Sequence, residues 1–424
     1  MQEDFLHYVW LHKKFALESL YTTQNQSIVI KSVGQPNCNS GPDFFNAQIY
    51  IDDQLWVGTV EIHVQSSDWY VHHHEKDPAY DNVILHVVWT HTTEVFRADN
   101  SVVPTLVLEP FVHLQLLKNY TALKKNEDQW IPCATQFSTV SDFEISNWLE
   151  RLYLERLEHK FKPIQIQLLK TNQDWEAVMF WQLARAFGAK VNAEEFWQLA
   201  KSFPFSVFRK IQNNPLYMEA LLFGQSGLLD DDVEGPYFRD LVITYQFLKQ
   251  KYKLIKLELF SLKFFRLRPP NFPTIRLSQL VQLYHKNTHL FSKLMQANTY
   301  DKLHQILICE TSDFWRSHYT FKNTSIEKTK RISKSFADLL IINAVLPMMY
   351  AYRLFKGVDQ DAIISIIKTI PSEKNNIVNA FNRLKPIAKT ALDSQALIQL
   401  KSNYCTQVKC VQCGIGSALL NRNA

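Results

Sequence analysis

Two carboxylates and a group of histidines in the first ninety residues carry the side-chain types that divalent-metal chemistry needs. Asp43 follows Pro42 at the start of an apolar run, FFNAQIYID, and Glu61 and His63 lie in a second run, QLWVGTVEIHVQ. Successive side chains of an extended strand point to opposite faces, so Val60, Ile62 and Val64 go one way and Glu61 and His63 the other. One carboxylate at a strand start and another on a neighbouring strand can converge on one sheet edge. With a backbone carbonyl and water they make a hard-cation site for Mg²⁺ or Mn²⁺. An ion there polarises a scissile phosphate and lowers the pKa of an attacking water. His63, His72, His73, His74 and His86 fall within 24 residues of a chain that has 14 histidines, with Asp68, Asp77 and Tyr80 among them. Singly, His86 reads as a hydrogen-bonded core histidine and residues 72–74 as a solvated loop. Taken together with the carboxylates, they read as a site in which Asp43, Glu61, His63, His72 and His74 are ligands and His86 is a ligand or supports one. Imidazole also widens the choice of metal toward Zn²⁺ or Mn²⁺.

A second cluster lies near the C-terminus, where Cys405, Cys410 and Cys413 are spaced Cys-x4-Cys-x2-Cys. The Cys-x2-Cys spacing lets a tight turn present two thiolates to one metal, and the third cysteine is near enough to join. With a fourth ligand the set holds Zn²⁺ or an iron–sulfur cluster, and the two stay open. Candidates for that ligand are Cys38, Cys133, Cys309 or a histidine. Three ordinary reduced cysteines in a helical hairpin are the alternative. A third stretch, KFFRLRPPNFPTIRLSQL, offers Arg266, Arg268 and Arg276 beside aromatics, a possible phosphate contact. As a rigid interhelical loop it would instead pair its arginines with carboxylates such as Glu258.

These residues need elements to position them. Residues 3–21 carry apolar side chains at near-helical intervals and predict an amphipathic helix with Glu18 near its end. SIVIKSVG, FFNAQIYID, QLWVGTVEIHVQ, VILHVVW and VPTLVLEP predict strands, with a turn at Asp52-Asp53. From about residue 112 the pattern is helical, as in WLERLYLERLEHKFK, WEAVMFWQLARAFG, NPLYMEALLFGQSGLL and RLSQLVQLYHKN. The expectation is an α+β protein with three parts: an α/β metal-binding core over 1–111, a helical domain over 112–390, and a C-terminal helix with its cysteine cluster over 391–424, packed on the helical domain. The 424 residues, 46% hydrophobic and 21% charged, exclude a disordered chain. A net charge of +5 permits a nucleic-acid partner through a local patch without arguing for one. The most apolar stretch, from Ala337, is interrupted by Asp338, Asn343 and Pro347 and predicts a buried helix, not a membrane span. The N-terminus lacks the regions of a signal peptide, so a cytoplasmic location without disulfides is expected.

The order helix, strand, Pro42-Asp43, strand, strand bearing Glu61-Ile62-His63, loop, strand resembles the core of the PD-(D/E)XK nuclease superfamily. That resemblance implies that Asp43 and Glu61 hold the divalent metal, and that Glu18 supplies the extra acid some members place on the first helix. The superfamily pattern has lysine two residues after the second acid. His63 stands there, as base, metal ligand or switchable cation. Some nucleases of that superfamily clamp a C-terminal cysteine trio to a distant upstream cysteine around an iron–sulfur cluster, a role the resemblance would give to Cys38. HHHE resembles the cupin pattern superficially, but the chain turns helical too soon for that barrel. Over nearly its whole length the sequence also resembles an uncharacterised bacterial family labelled only as a domain of unknown function. The strings GPDFFNAQIYI, GTVEIHVQSSDW, EALLFGQSGLL, RLRPPNFPTIRLSQL and SQALIQLKSNYC occur in that order. The expected function is a metal-dependent nuclease. The alternatives are a non-catalytic nucleic-acid-binding or assembly protein on a degenerate nuclease core, and a small-molecule metal-dependent hydrolase. The oligomeric state stays open.

Overall fold

The computed structural model describes residues 1–37, 39–126, 128–257 and 261–423. Cys38 and Glu258 lie outside the described residues. The protein is mixed α+β, 54% helix and 12% strand, with an N-terminal sheet followed by helices. It divides into two units. Unit 1 comprises Met1–Leu149, Asn379–Ile387 and Leu397–Ala424; unit 2 comprises Glu150–Val378 and Ala388–Ala396.

Unit 1 is built on a sheet whose strands are β1 (Leu20–Tyr21), β2 (Ser27–Ser32), β3 (Gln35–Pro36), β4 (Phe44–Ile51), β5 (Gln54–Gln65), β6 (Val83–Thr90) and β7 (Thr105–Val107). Its order is β1-β2-β4-β5-β6-β7, with β3 paired to β4. β2, β4 and β5 run antiparallel, then β6 joins β5 in parallel and β7 joins β6 in parallel. The antiparallel pairs need only tight turns, and the β4–β5 turn falls at Asp52-Asp53, where Asp52 takes a left-handed φ of 52°. A parallel pair needs a crossover. Here it consists of the short helix α2 (Asp68–Val71) and two 3₁₀ turns, His74–Lys76 and Pro78–Tyr80. That crossover carries the histidine run. α1 (Glu3–Leu11) lies against β5 and buries Phe5, Leu6, Val9 and Trp10, each contributing about 1.5–3 kcal/mol.

Two departures from the sequence reading have physical causes. The first helix stops at Leu11, where Lys13 adopts a left-handed φ of 49°, although the apolar spacing runs on to Tyr21. Phe15 and Leu20 are buried from non-helical backbone, which periodicity alone cannot distinguish from a helix face. The divisions expected at residues 111 and 390 also move. The first unit extends to Leu149 through α3 (Leu114–Lys124) and recruits the C-terminal segment. Tyr8 Oη meets Ser417 Oγ at 3.1 Å, Asn119 donates to the Leu420 carbonyl at 2.9 Å, and Arg422 donates to Thr139 Oγ1 at 2.7 Å. The cysteine segment therefore belongs with the sheet and not with the helical unit.

α4 (Asp142–Lys170) starts in unit 1, and unit 2 is helical. Its helices include α5 (Trp175–Phe187), α6 (Pro215–Gln225) and α7 (Pro273–Lys286), each where the sequence pattern predicts one. The Ala337 stretch is helical over Lys334–Lys356, with a π-helical turn at Ile341–Val345 ahead of Pro347. It is long and apolar enough to cross a membrane by length and composition, but 72% of its apolar window is buried within the protein.

Candidate metal centre

Glu61, His63 and His86 come to the site because β5 and β6 run in register, with Glu61 paired to His86 and His63 to Val88. The two-residue alternation puts Glu61 and His63 on one side, as expected. That side is not solvated: Glu61 is 5% exposed, His63 2% and His86 0%. Asp43 reaches the same place from the start of β4, ahead of an irregularity between Phe44 and Ala47 where Asn46 takes a left-handed φ of 56°. The two carboxylates are clamped reciprocally. The Asp43 N–H donates to Glu61 Oε2 at 3.1 Å, and the Ile62 N–H donates to Asp43 Oδ2 at 2.9 Å.

The crossover delivers the remaining imidazoles. His73 adopts a left-handed φ of 60° and is exposed, while its neighbours His72 and His74 turn toward His63. His74 is buried against Tyr80, with ring centroids 3.7 Å apart, and edge-on to Trp69 at 5.4 Å. Among the described residues, His63, His72 and His74 form the only group of three or more ligand-type side chains whose donor atoms all lie within 4.8 Å of one another. His63 Nε2 stands 3.1 Å from His72 Nδ1 and 3.5 Å from Glu61 Oε1, which is 3.3 Å from His74 Nε2. Donors sharing one ion at about 2.0–2.1 Å in a tetrahedron are separated by about 3.3–3.4 Å, close to these spacings. His74 Nε2 and His86 Nδ1 are buried and have no aligned hydrogen-bond partner among the described residues. Glu61 Oε1 stands at ion-pair distance from His74 Nε2, and that contact lowers the Glu61 pKa against burial. The groups meet one another, His63 with His72 and Glu61 with His63 and His74, at spacings a cation could also bridge.

Protonation fits the same reading. Burial, and then the neighbouring His74, His72 and His7, lower the His63 pKa to about 3. Burial likewise holds His86 well below its ordinary value. Both rings are neutral near pH 7, so His63 has a lone pair to offer and is not the switchable cation that could replace a lysine. His63 Nδ1 lies 2.9 Å from His86 Nε2. If His63 donates there, its Nε2 lone pair is left facing the centre. That is the tautomer a metal ligand would need, and His86 would then be the group that orients it. Burial and the Asp43 charge raise the Glu61 pKa, against His74, which lowers it.

Sequence reasoning missed His7. It lies on α1 four residues after Glu3, and its Nε2 is 3.2 Å from Asp43 Oδ2. Burial alone would lower its pKa, but Asp43, Glu3 and Glu61 outweigh burial and raise it. Those carboxylates favour the protonated form of His7, whose side chain is 38% exposed. Glu18, expected near the site, is exposed in the turn ahead of β1. The α1 acid that feels Asp43, His7 and His72 is Glu3, its pKa raised by burial first and Asp43 next. Asp68 and Asp77 accept backbone N–H groups from Gln65 and Ala79 and serve their turns.

Elsewhere in unit 1, Cys405, Cys410 and Cys413 line one small cavity together with Cys133. Burial, then Cys413 and Cys410, push the Cys133 thiol up to about 12. Cys309 is buried in unit 2, where its thiol donates to the Gln279 carbonyl at 3.2 Å. Of the three arginines, Arg276 is buried and bonded to Gln279 Oε1 and Asn271 Oδ1 at 2.8 and 2.6 Å, with its guanidinium 3.3 Å over the Phe336 ring. It holds core structure and is not free to meet a phosphate. Arg266 and Arg268 are exposed.

No curated protein and no solved structure matches the chain. A family model described as "Protein of unknown function (DUF2851)" matches residues 3–376, a range that spans the whole histidine–carboxylate site and Cys133 but ends before the C-terminal cysteines. The chain belongs to that family.

Proposed function

We propose that this protein is a metal-dependent hydrolase of phosphodiesters, with DNA or RNA as substrate. The observation that carries the reading is the gathering of His63, His72 and His74, whose ring nitrogens lie within 4.8 Å of one another, with Glu61 Oε1 3.5 Å from His63 Nε2 and 3.3 Å from His74 Nε2. A second support is the strand order: three antiparallel strands followed by a parallel fourth, with acids at the start of one strand and within the next, as in the core of the PD-(D/E)XK nucleases. A set rich in imidazole favours Zn²⁺, Mn²⁺ or Fe²⁺ over Mg²⁺, which prefers oxygen ligands. An ion bound there would supply Lewis-acid charge to a phosphoryl oxygen and lower the pKa of a water.

The chain's own groups do the rest. Glu61 offers one oxygen to the centre while its other accepts the Asp43 N–H, which fixes the carboxylate plane. His86 holds the His63 ring in orientation. Asp43, 3.2 Å from His7 Nε2, favours the protonated ring, and the imidazolium would meet a phosphate oxygen or give a proton to the leaving oxygen. This assigns to His7 the cationic work that the lysine of the nuclease pattern performs.

The test is cleavage of labelled single- and double-stranded DNA and RNA with added Mn²⁺, Zn²⁺ or Mg²⁺. Asp43→Ala, Glu61→Ala and His7→Gln proteins are prepared alongside. Metal-dependent cleavage that disappears in the first two and falls about 10²-fold or more in the third is expected. A folded, metal-loaded wild type as inert as its variants refutes nucleic-acid cleavage.

A further inference from the structure

We propose that Cys133, Cys405, Cys410 and Cys413 ligate an iron–sulfur cluster, a site independent of the histidine–carboxylate centre. The four come from separate segments of unit 1. Cys133 lies in the turns after α3, Cys405 ends a π-helical turn over Leu400–Cys405, and Cys410 and Cys413 bracket the 3₁₀ turn ahead of α8 (Gly414–Leu420). All four line one cavity, none is in a disulfide, and Cys133 and Cys413 are buried.

The spacing decides between the two metals that thiolates favour. Four sulfurs on one Zn²⁺ at about 2.3 Å stand about 3.8 Å apart and leave no room between them for a water-sized sphere. Here no three of the four sulfurs lie within 4.8 Å of one another, because the imidazole trio is the only described group that meets that distance. The space they enclose is about 10 Å³, which just admits one such sphere. An inorganic iron–sulfide core, larger than a single ion, fits wider-set thiolates.

The surrounding backbone is built to hold this arrangement. Val408, a β-branched residue between Cys405 and Cys410, sits at a left-handed φ of 53°, a strained conformation that the neighbouring turns must impose. The π-helical turn displaces Cys405 from the line of its helix, and such turns recur at functional sites. A Cβ at Gly416 would stand 2.0 Å from the Cys410 carbonyl oxygen, so only glycine lets these two segments approach. The N–H groups of Gly416 and Ile415 bear on the Cys413 sulfur, contacts that stabilise a ligating thiolate.

The experiment is anaerobic purification of the full chain, reconstitution with ferrous iron and sulfide, and quantification of iron, acid-labile sulfide and zinc, with the visible spectrum recorded. Wild type and Cys309→Ser should carry equal iron and sulfide and absorb broadly in the visible range. Cys133→Ser and Cys413→Ser should lose most of that absorbance while circular dichroism shows both folded. Stoichiometric zinc without sulfide, or no bound metal in folded wild type, overturns the proposal. Full retention of the cluster in Cys133→Ser with loss in Cys38→Ser overturns the ligand set.

Discussion

Acidifying the metal-free protein should loosen the sheet around β5, and His63 sets much of the size of the effect. Its pKa is about 3 in the folded state against 6.5 for an unperturbed histidine. Between those values the unfolded chain takes up a proton that the folded chain refuses. The stability tied to the neutral imidazole is therefore complete above about pH 6.5 and is lost as pH falls toward about 3. Each pH unit inside that window is worth about 1.4 kcal/mol, so a step from pH 7 to pH 5 removes about 2 kcal/mol through His63 alone. His86 is shifted in the same direction and adds to the loss. Glu61, its pKa raised by burial, works in the opposite sense: its contribution is present at low pH and lost as pH rises. Amide exchange of β5 and β6 peptides in chelator, at both pH values, reads the local opening free energy without assuming that the whole chain unfolds at once. The measurement is made on wild type and on His63→Leu, and the drop should be smaller in the variant by about 2 kcal/mol. Equal drops in the two proteins would mean that His63 is not held neutral and would remove the basis for calling it a ligand.

Two further outcomes follow from contacts described above. His86→Phe removes the partner of His63 Nδ1 and should weaken Zn²⁺ or Mn²⁺ binding about 10–100-fold by calorimetry, and unchanged affinity would deny His86 its orienting role. Arg276→Lys breaks a buried fork and a ring contact and should cost about 1–3 kcal/mol in denaturant melts. It should leave the salt dependence of retention on immobilised nucleic acid unchanged, and a shallower salt slope would return Arg276 to a phosphate-contacting role.

Much of unit 1 was legible because its signals are local. Alternation in VEIHV placed Glu61 and His63 on one face, and the Pro42-Asp43 step marked a strand start. The missing parts depend on contacts distant in sequence. Nothing local tells that Cys133 meets Cys405–Cys413, or that the last segment returns to the first helix, because those pairings are settled by packing. His7 could have been found, since Glu3 and His7 are four apart on a helix and so share a face. Apolar spacing instead carries the expected helix past Leu11 to Glu18, because no proline or glycine marks its end.

The discontinuity of unit 1 has a consequence for the order in which the molecule is made. Its two main pieces, Met1–Leu149 and Leu397–Ala424, are separated by roughly 250 residues, which a ribosome adds over about ten to fifty seconds. Throughout that interval the sheet lacks the segment that Tyr8 and Asn119 bind. The helical unit, nearly continuous in sequence, can close while the first unit waits. The imidazole–carboxylate centre, drawn from residues 7–86, is assembled from early chain; the thiol site is complete only when Cys413 emerges. A nascent chain stalled before that point carries the first site without the second.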